Sequence, residues 1–215
     1  MRISRLIVLV EEMSAQALLE ALLPKMAPDL TFNIHPYQGK DDLLAKLPDR
    51  LRAFGRYLTS EDGLLVLLDR DGDDCEVLKA QMETIAKAAG LSILHANAPV
   101  AKKAGRATVQ VVNRIAIEEL EAWYFGDWEA VCQVYPRVSR DTCQRSNYRH
   151  PDAIRGGTCE AFTRILQRSG YRLNHLPKIA TAQAMAAHMD PNRNTSPSFQ
   201  CLHRAILAFV QNGVR

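Results

Sequence analysis

Residues 63–75 read GLLVLLDRDGDDC. Leu64, Leu65, Val66, Leu67 and Leu68 form an uninterrupted apolar run, opened by a glycine and closed by charge. Such a run suits a strand buried on both faces, the condition inside a parallel sheet covered by helices. It passes directly into Asp69-Arg70-Asp71-Gly72-Asp73-Asp74 and then into a helical pattern over residues 76–89. Strand, acidic turn and helix in that order predict half of a βαβ unit.

The same unit recurs upstream. Residues 6–10 are a second branched apolar run, ending at Glu11, after which Ala15, Leu18, Leu19, Leu22 and Leu23 return at helical spacing until Pro24 and Pro28. A weaker strand over 31–34 leads through Gln38-Gly39-Lys40 to a helix carrying Leu43, Leu44 and Leu47. Downstream, a strand over 91–94 is followed by a basic loop over 98–106 and a fifth strand over 109–117, which ends in Glu118. Beyond it the patterns are helical only, over 119–134, 159–167, 179–189 and 199–210, with Ser198 as a cap for the last. The predicted fold is α/β: a mostly parallel, Rossmann-like sheet flanked by helices, with a C-terminal helical extension.

Charge divides the chain as well. The formal net charge is +3, but residues 1–136 hold 15 Lys+Arg against 20 Asp+Glu, a balance of −5, and residues 137–215 hold 12 against 4, a balance of +8. We therefore expect an α/β domain over 1–136 and a basic helical extension over 137–215 packed on it. Eight arginines lie between Arg137 and Arg172 with three acids among them. That density suits a phosphate-backbone ligand, DNA or RNA, and equally a solubilising surface. The five cysteines contain no C-x-x-C pair, which argues against a zinc knuckle or a disulfide framework. The first apolar run stops after five residues, too short for a signal or membrane segment, so a cytoplasmic protein without membrane contact is expected.

In open parallel sheets ligands bind outside the carboxyl ends of the strands. Glu11, Asp69 and Asp71 are all predicted there, and three hard oxygen donors suit Mg²⁺ or Mn²⁺. Crowded without a cation, such carboxylates raise one another's pKa values. Other readings of DRDGDD compete. A calcium helix-loop-helix fails, because Asp74 and Ala80 stand where Gly and Glu are required. A turn that only caps the next helix is physically sensible. Haloacid-dehalogenase and receiver-type sites place the acids on other strands or use fewer of them. Lys40, after Gly39 at a strand-to-helix turn, is a candidate phosphate ligand, as is Lys178 at the start of a helix in the basic half. Glu118 and Glu121 fall on one helix face, as a solvated pair or as metal-binding acids.

Glu after the first strand with D-x-D after a later one resembles the Toprim superfamily of topoisomerases, primases and nucleases. More narrowly, VLVEEMSAQALLEALLP, HPYQGKDDLLAKLP, LLVLLDRDGDDC, NRIAIEELEAWYFGD, HPDAIRGGTCEAF and LPKIATAQAMAAHMDP resemble, in that order, small stand-alone Toprim-like bacterial proteins grouped as domain of unknown function 4276. The resemblance covers nearly the whole chain and implies a Toprim-like fold. It assigns catalytic and metal-binding roles to Glu11, Asp69 and Asp71. Asp73 is the natural fourth metal ligand, and Glu12, standing where many Toprims have glycine, is an accessory acid along with Glu121. It also implies an AAA/SMC-like ATPase partner and a role in phage defence. The expected activity is Mg²⁺-dependent phosphodiester hydrolysis of nucleic acid, with Lys40, Arg145, Arg149, Arg155 and Lys178 binding phosphates. The alternatives are a non-catalytic Toprim-shell sensor subunit and a small-molecule phosphatase.

Overall fold

Alternation along β1 (Arg5–Val10) sends Leu6, Val8 and Val10 to one face and Ile7 and Leu9 to the other, all of them buried. β3 (Asp62–Asp69) does the same, with Leu65 and Leu67 on the first face and Leu64, Val66 and Leu68 on the second. Both strands therefore need a helical layer on each side. The computed structural model describes residues 3–59, 61–94 and 110–211 and shows that arrangement. With β2 (Thr31–Pro36), β4 (Ser92–Ile93) and β5 (Gln110–Ala116) the strands make one parallel sheet of order β2-β1-β3-β5-β4.

α2 (Lys40–Tyr57) and α3 (Cys75–Ala88) cover the second face through Leu43, Leu47, Leu51, Phe54, Leu78 and Met82. α1 (Met13–Met26) covers the first. There it shares a core with α4 (Ala122–Gly126), α5 (Trp128–Val134), α6 (Thr158–Arg168), α7 (Lys178–His188) and α8 (Pro197–Gln211), whose Trp123, Phe162, Phe199 and Phe209 are buried. The Lys25 ammonium on α1 donates to the Ala186, Ala187 and Met189 carbonyls at 2.8–2.9 Å, satisfying the last turn of α7. No helix among the described residues is long and apolar enough to cross a membrane.

Several local expectations change. The helix predicted over 119–134 is two helices broken at Asp127. That buried carboxylate accepts from the Ala130 amide to cap α5, from Arg193 at 2.6 and 3.1 Å, and from the Asp190 amide at 2.8 Å. Glu118 and Glu121 precede α4 and share no helix face. Ser198 is not the cap of α8. The Phe199 amide donates instead to Ser196 Oγ, while Ser198 Oγ accepts from the Trp123 indole at 2.9 Å. The fourth strand is reduced to two residues, and the basic loop at 98–106 lies outside the described residues.

Gly126 ends α4 where residues 194–196 cross it, and a Cβ there would stand 2.1 Å from Asn194 Oδ1 and 2.8 Å from the Ser196 amide nitrogen. Asn194 cannot simply yield, since its amide nitrogen donates to the Trp123 carbonyl at 2.8 Å. Gly126→Ala should lower stability by about 1–3 kcal/mol, read as a lower urea midpoint at unchanged slope.

Candidate acidic centre

The strand order places β2 and β3 on opposite sides of β1, so α1 leads from β1 to one side and α2 returns across β1 to the other. The crevice outside the carboxyl ends of β1 and β3 is thus the topological switch point. Glu11 follows β1 and Asp69 ends β3. Pairing runs from Arg5 with Asp62 to Val10 with Leu67, and β3 continues for two residues. That overhang brings the Asp69 amide to the Glu11 carboxylate, which accepts from it at 3.2 Å.

Alternation continues past the core residues of β3, so Asp69 lies on the face of Leu65 and Leu67, beneath the C-terminal helices rather than beneath α2 and α3. It is 7% exposed. Burial pushes its pKa well above the usual carboxylate value, and Glu11, Glu121, Asp71 and Glu12 push it further in that order. Glu11 is also raised, by burial and by Asp71, against the opposing hydrogen bond from the Asp69 amide.

The turns after β3 and β5 are clipped together. The Arg70 amide donates to the Ala116 carbonyl and the Asp71 amide to that of Glu118, both at 3.0 Å, while the Arg70 guanidinium pairs with the Glu118 carboxylate. Asp71 at φ 49° and Glu118 at φ 64° both occupy the left-handed region, a strain of about 1–3 kcal/mol each. The turn aims Asp71 at Lys40. The Lys40 ammonium lies 3.1 Å from Asp71, 2.8 Å from Asp73 and 2.8 Å from the Arg70 carbonyl. Although burial pushes Lys40 down, Asp73 and Asp71 hold its pKa above the ordinary lysine value. Lys40, set after Gly39 as expected, is thus bound to the acids of the site. Asp74 takes the capping role for α3, accepting from the Glu76 and Val77 amides.

A second lysine closes the other side. Lys178 opens α7 and lies 3.4 Å from Glu12, which precedes α1 and also accepts from Ser14. Against the penalty of burial, Glu121 and then Glu12 hold Lys178 well above the ordinary lysine value. Glu121 is 2% exposed, so it belongs to no solvated face. Burial pushes it up to about 7. Arg145, Arg149 and Arg155 are exposed on the segment between α5 and α6 and make no ion pair among the described residues.

Among the described residues, one group of three metal-ligating side chains has its ligand atoms within 4.8 Å of one another: Glu119, Glu121 and Cys159. Those residues could hold a metal ion. Glu11, Asp69 and Asp71 follow the ends of β1 and β3 without meeting that spacing, and Asp71 pairs with Lys40. Neither Glu119, the first acid of the E-x-E-A-W segment that resembles the family, nor Cys159 carries a site role from the sequence. Gly157, at φ 83°, caps α6 without a side chain, and Glu119 takes that role from another element, accepting from the Cys159 amide at 2.8 Å and the Thr158 hydroxyl at 3.1 Å. The Gly156-Gly157 pair before an apolar helix was the visible signal of that turn; its partner was not.

Residues 10–207 match the family described as Domain of unknown function (DUF4276). The chain belongs to that family. Two solved structures of the C-terminal region of the Xanthomonas campestris pv. campestris OLD protein are similar to this DUF4276 chain at 16% identity. One, phased with mercury, covers 98% of each chain at a TM-score of 0.48, and the other, phased with iodine, covers 97% of each at 0.46. No curated protein matches.

Burial of Glu121 has a measurable consequence in the metal-free protein. Folding raises its pKa from the ordinary 4.5 to about 7, so between those values the folded protein holds a proton that the unfolded chain has released. Stability then falls as pH rises across that window and is fully present only below it. Glu121→Gln should flatten this part of the profile and stabilise the protein at pH 8 by up to about 3 kcal/mol, measured by urea unfolding with chelator at pH 4.5, 6 and 8.

Proposed function

We propose that this DUF4276 protein is a divalent-metal-dependent phosphodiester hydrolase acting on nucleic acid through a Toprim-type acidic centre. The observation that carries the reading is Asp69, a buried carboxylate at the switch point, crowded by Glu11, Glu121, Asp71 and Glu12, with no cation bonded to its side chain among the described residues. Like charges gathered at this depth call for a counter-ion. The donor set is all carboxylate, which fits Mg²⁺ or Mn²⁺, and Glu11, Asp69, Asp71 and Asp73 are the residues that would hold it. A bound ion would stabilise charge developing on the phosphoryl oxygens and acidify a water.

The protein's own groups do the rest. Lys40 and Lys178 hold positive charge on two sides of the acids, where a phosphodiester must be neutralised before it can approach them. In this reading residues 1–136 carry the centre and residues 137–215 the backbone-binding surface, in which Arg145, Arg149 and Arg155 are exposed and free of ion pairs among the described residues. An AAA/SMC-like ATPase partner and a place in phage defence belong to the same proposal and rest on the family resemblance.

Asp69→Asn and Asp71→Asn should each reduce Mg²⁺-dependent cleavage of DNA or RNA by at least about a hundredfold, a loss of roughly 3 kcal/mol in transition-state stabilisation. Mg²⁺ should raise the wild-type melting temperature and fail to do so in Asp69→Asn. A wild-type protein that cleaves neither DNA nor RNA with Mg²⁺ or Mn²⁺, while still binding one of them, would leave a non-catalytic binding role.

The arginine surface has its own test. Replacing Arg145, Arg149 and Arg155 together by alanine should weaken nucleic-acid binding and reduce the slope of log K against log salt by up to about 3 for a duplex. Binding that is insensitive to salt would remove the phosphate-backbone role.

A further inference from the structure

Glu119 and Glu121 come from the turn before α4, and Cys159 from the first turn of α6, yet one ligand atom of each lies within 4.8 Å of the other two. Around a four-coordinate ion with sulfur at about 2.3 Å and carboxylate oxygen at about 2.0–2.2 Å, neighbouring ligand atoms stand roughly 3.5 Å apart. A closure of about 1 Å assembles three ligands. Glu119 is held for this, because Oε2 is fixed by the Cys159 amide and the Thr158 hydroxyl, while Oε1 makes no hydrogen bond among the described residues.

A second observation concerns a neighbouring side chain. The Tyr124 hydroxyl is buried with no hydrogen-bond partner, on a side chain that is 0% exposed. After burial itself, the titratable groups that act on it are Glu121, Tyr135, Asp69 and Cys159, so the phenol stands near two members of this cluster. An orphaned buried hydroxyl is unfavourable, because it has given up its bonds to water and gained none. A group outside the polypeptide, or a ligand oxygen turned by one, would relieve that cost.

We propose that Glu119, Glu121 and Cys159 form a site for a thiophilic divalent cation, of which Zn²⁺ is the type, with Tyr124 hydrogen-bonding a metal-bound water or a ligand oxygen. Carboxylates alone would favour Mg²⁺ or Mn²⁺, and one thiolate moves the preference to Zn²⁺ and Co²⁺. On binding, the Cys159 S–H bond breaks, its proton leaves to solvent and a sulfur–metal bond forms. Two carboxylates and a thiolate then face one dication, with the Lys178 ammonium, shared with Glu12, beside them. A cavity of about 410 Å³ lined by Cys159, Arg164, Asn174 and His175 adjoins the cluster at Cys159. The site stands whether or not the Asp69 centre cleaves nucleic acid.

Chelator-stripped full-length protein titrated with CoCl₂ should develop a thiolate-to-cobalt charge-transfer absorption saturating at one equivalent. Cys159→Ser should abolish it with unchanged circular dichroism while keeping the Mg²⁺-induced rise in melting temperature, which separates this site from the Asp69 centre. Tyr124→Phe should weaken Zn²⁺ binding about 10–100-fold by calorimetry. As a measurement that needs no variant, Zn²⁺ should protect Cys159 from alkylation and leave Cys75, Cys132, Cys143 and Cys201 reactive. A wild-type protein without the charge-transfer band, a band that survives in Cys159→Ser, or alkylation of Cys159 unaffected by Zn²⁺ would overturn the proposal.

Discussion

β1 and β3 run side by side in parallel, and β3 is longer by two residues at its carboxyl end. That stagger lifts the Asp69 amide above the last pair of the ladder, where the Glu11 carboxylate accepts from it across the gap. Because β1 sits between β2 and β3, the same place is where the chain's connections diverge. The other acids, the two lysines and the clipped turns are all arranged around this point.

Burying a carboxylate there is unfavourable, and the surroundings show how the molecule offsets it. Lys40 lies across Asp71 and Asp73, held through the Arg70 carbonyl to the turn itself. Lys178 comes from the basic half and sits among Glu12 and Glu121. Neither cation bonds to Asp69, whose pKa stays well above the usual carboxylate value. The opposite charge balances of the two halves of the chain are thus joined at one location by a lysine from each. The Lys25 bonds to the end of α7 keep that helix, and with it Lys178, against α1.

Backbone geometry supports the same centre. Asp71 and Glu118 accept left-handed conformations so that the turns after β3 and β5 can bond to each other. Around them, Glu119 substitutes for the side chain that Gly157 lacks at the start of α6. Helix caps and turn contacts, ordinarily local devices, here tie together elements distant in sequence, so the first turn of α6 is carried to the rim of the sheet.

What the sequence by itself determined is the sheet and the acids at its edge. Apolar runs such as 6–10 and 64–68 cannot be satisfied except between two helical layers, and an acid that directly follows such a run must emerge at a strand end. Strand order, the burial of Glu121, the break at Asp127 and the approach of Cys159 to Glu119 were not legible. The 3.6-residue periodicity over 119–134 does not reveal that Asp127 is needed by Arg193 and the Asp190 amide, because that demand comes from residues far along the chain. Likewise Ser198 reads as a cap from its neighbours alone, whereas the Trp123 indole, a partner supplied only by folding, takes its hydroxyl. Local pattern reports which face of an element is apolar. Which polar group of another element meets it is a property of packing, and only the tertiary structure decided that.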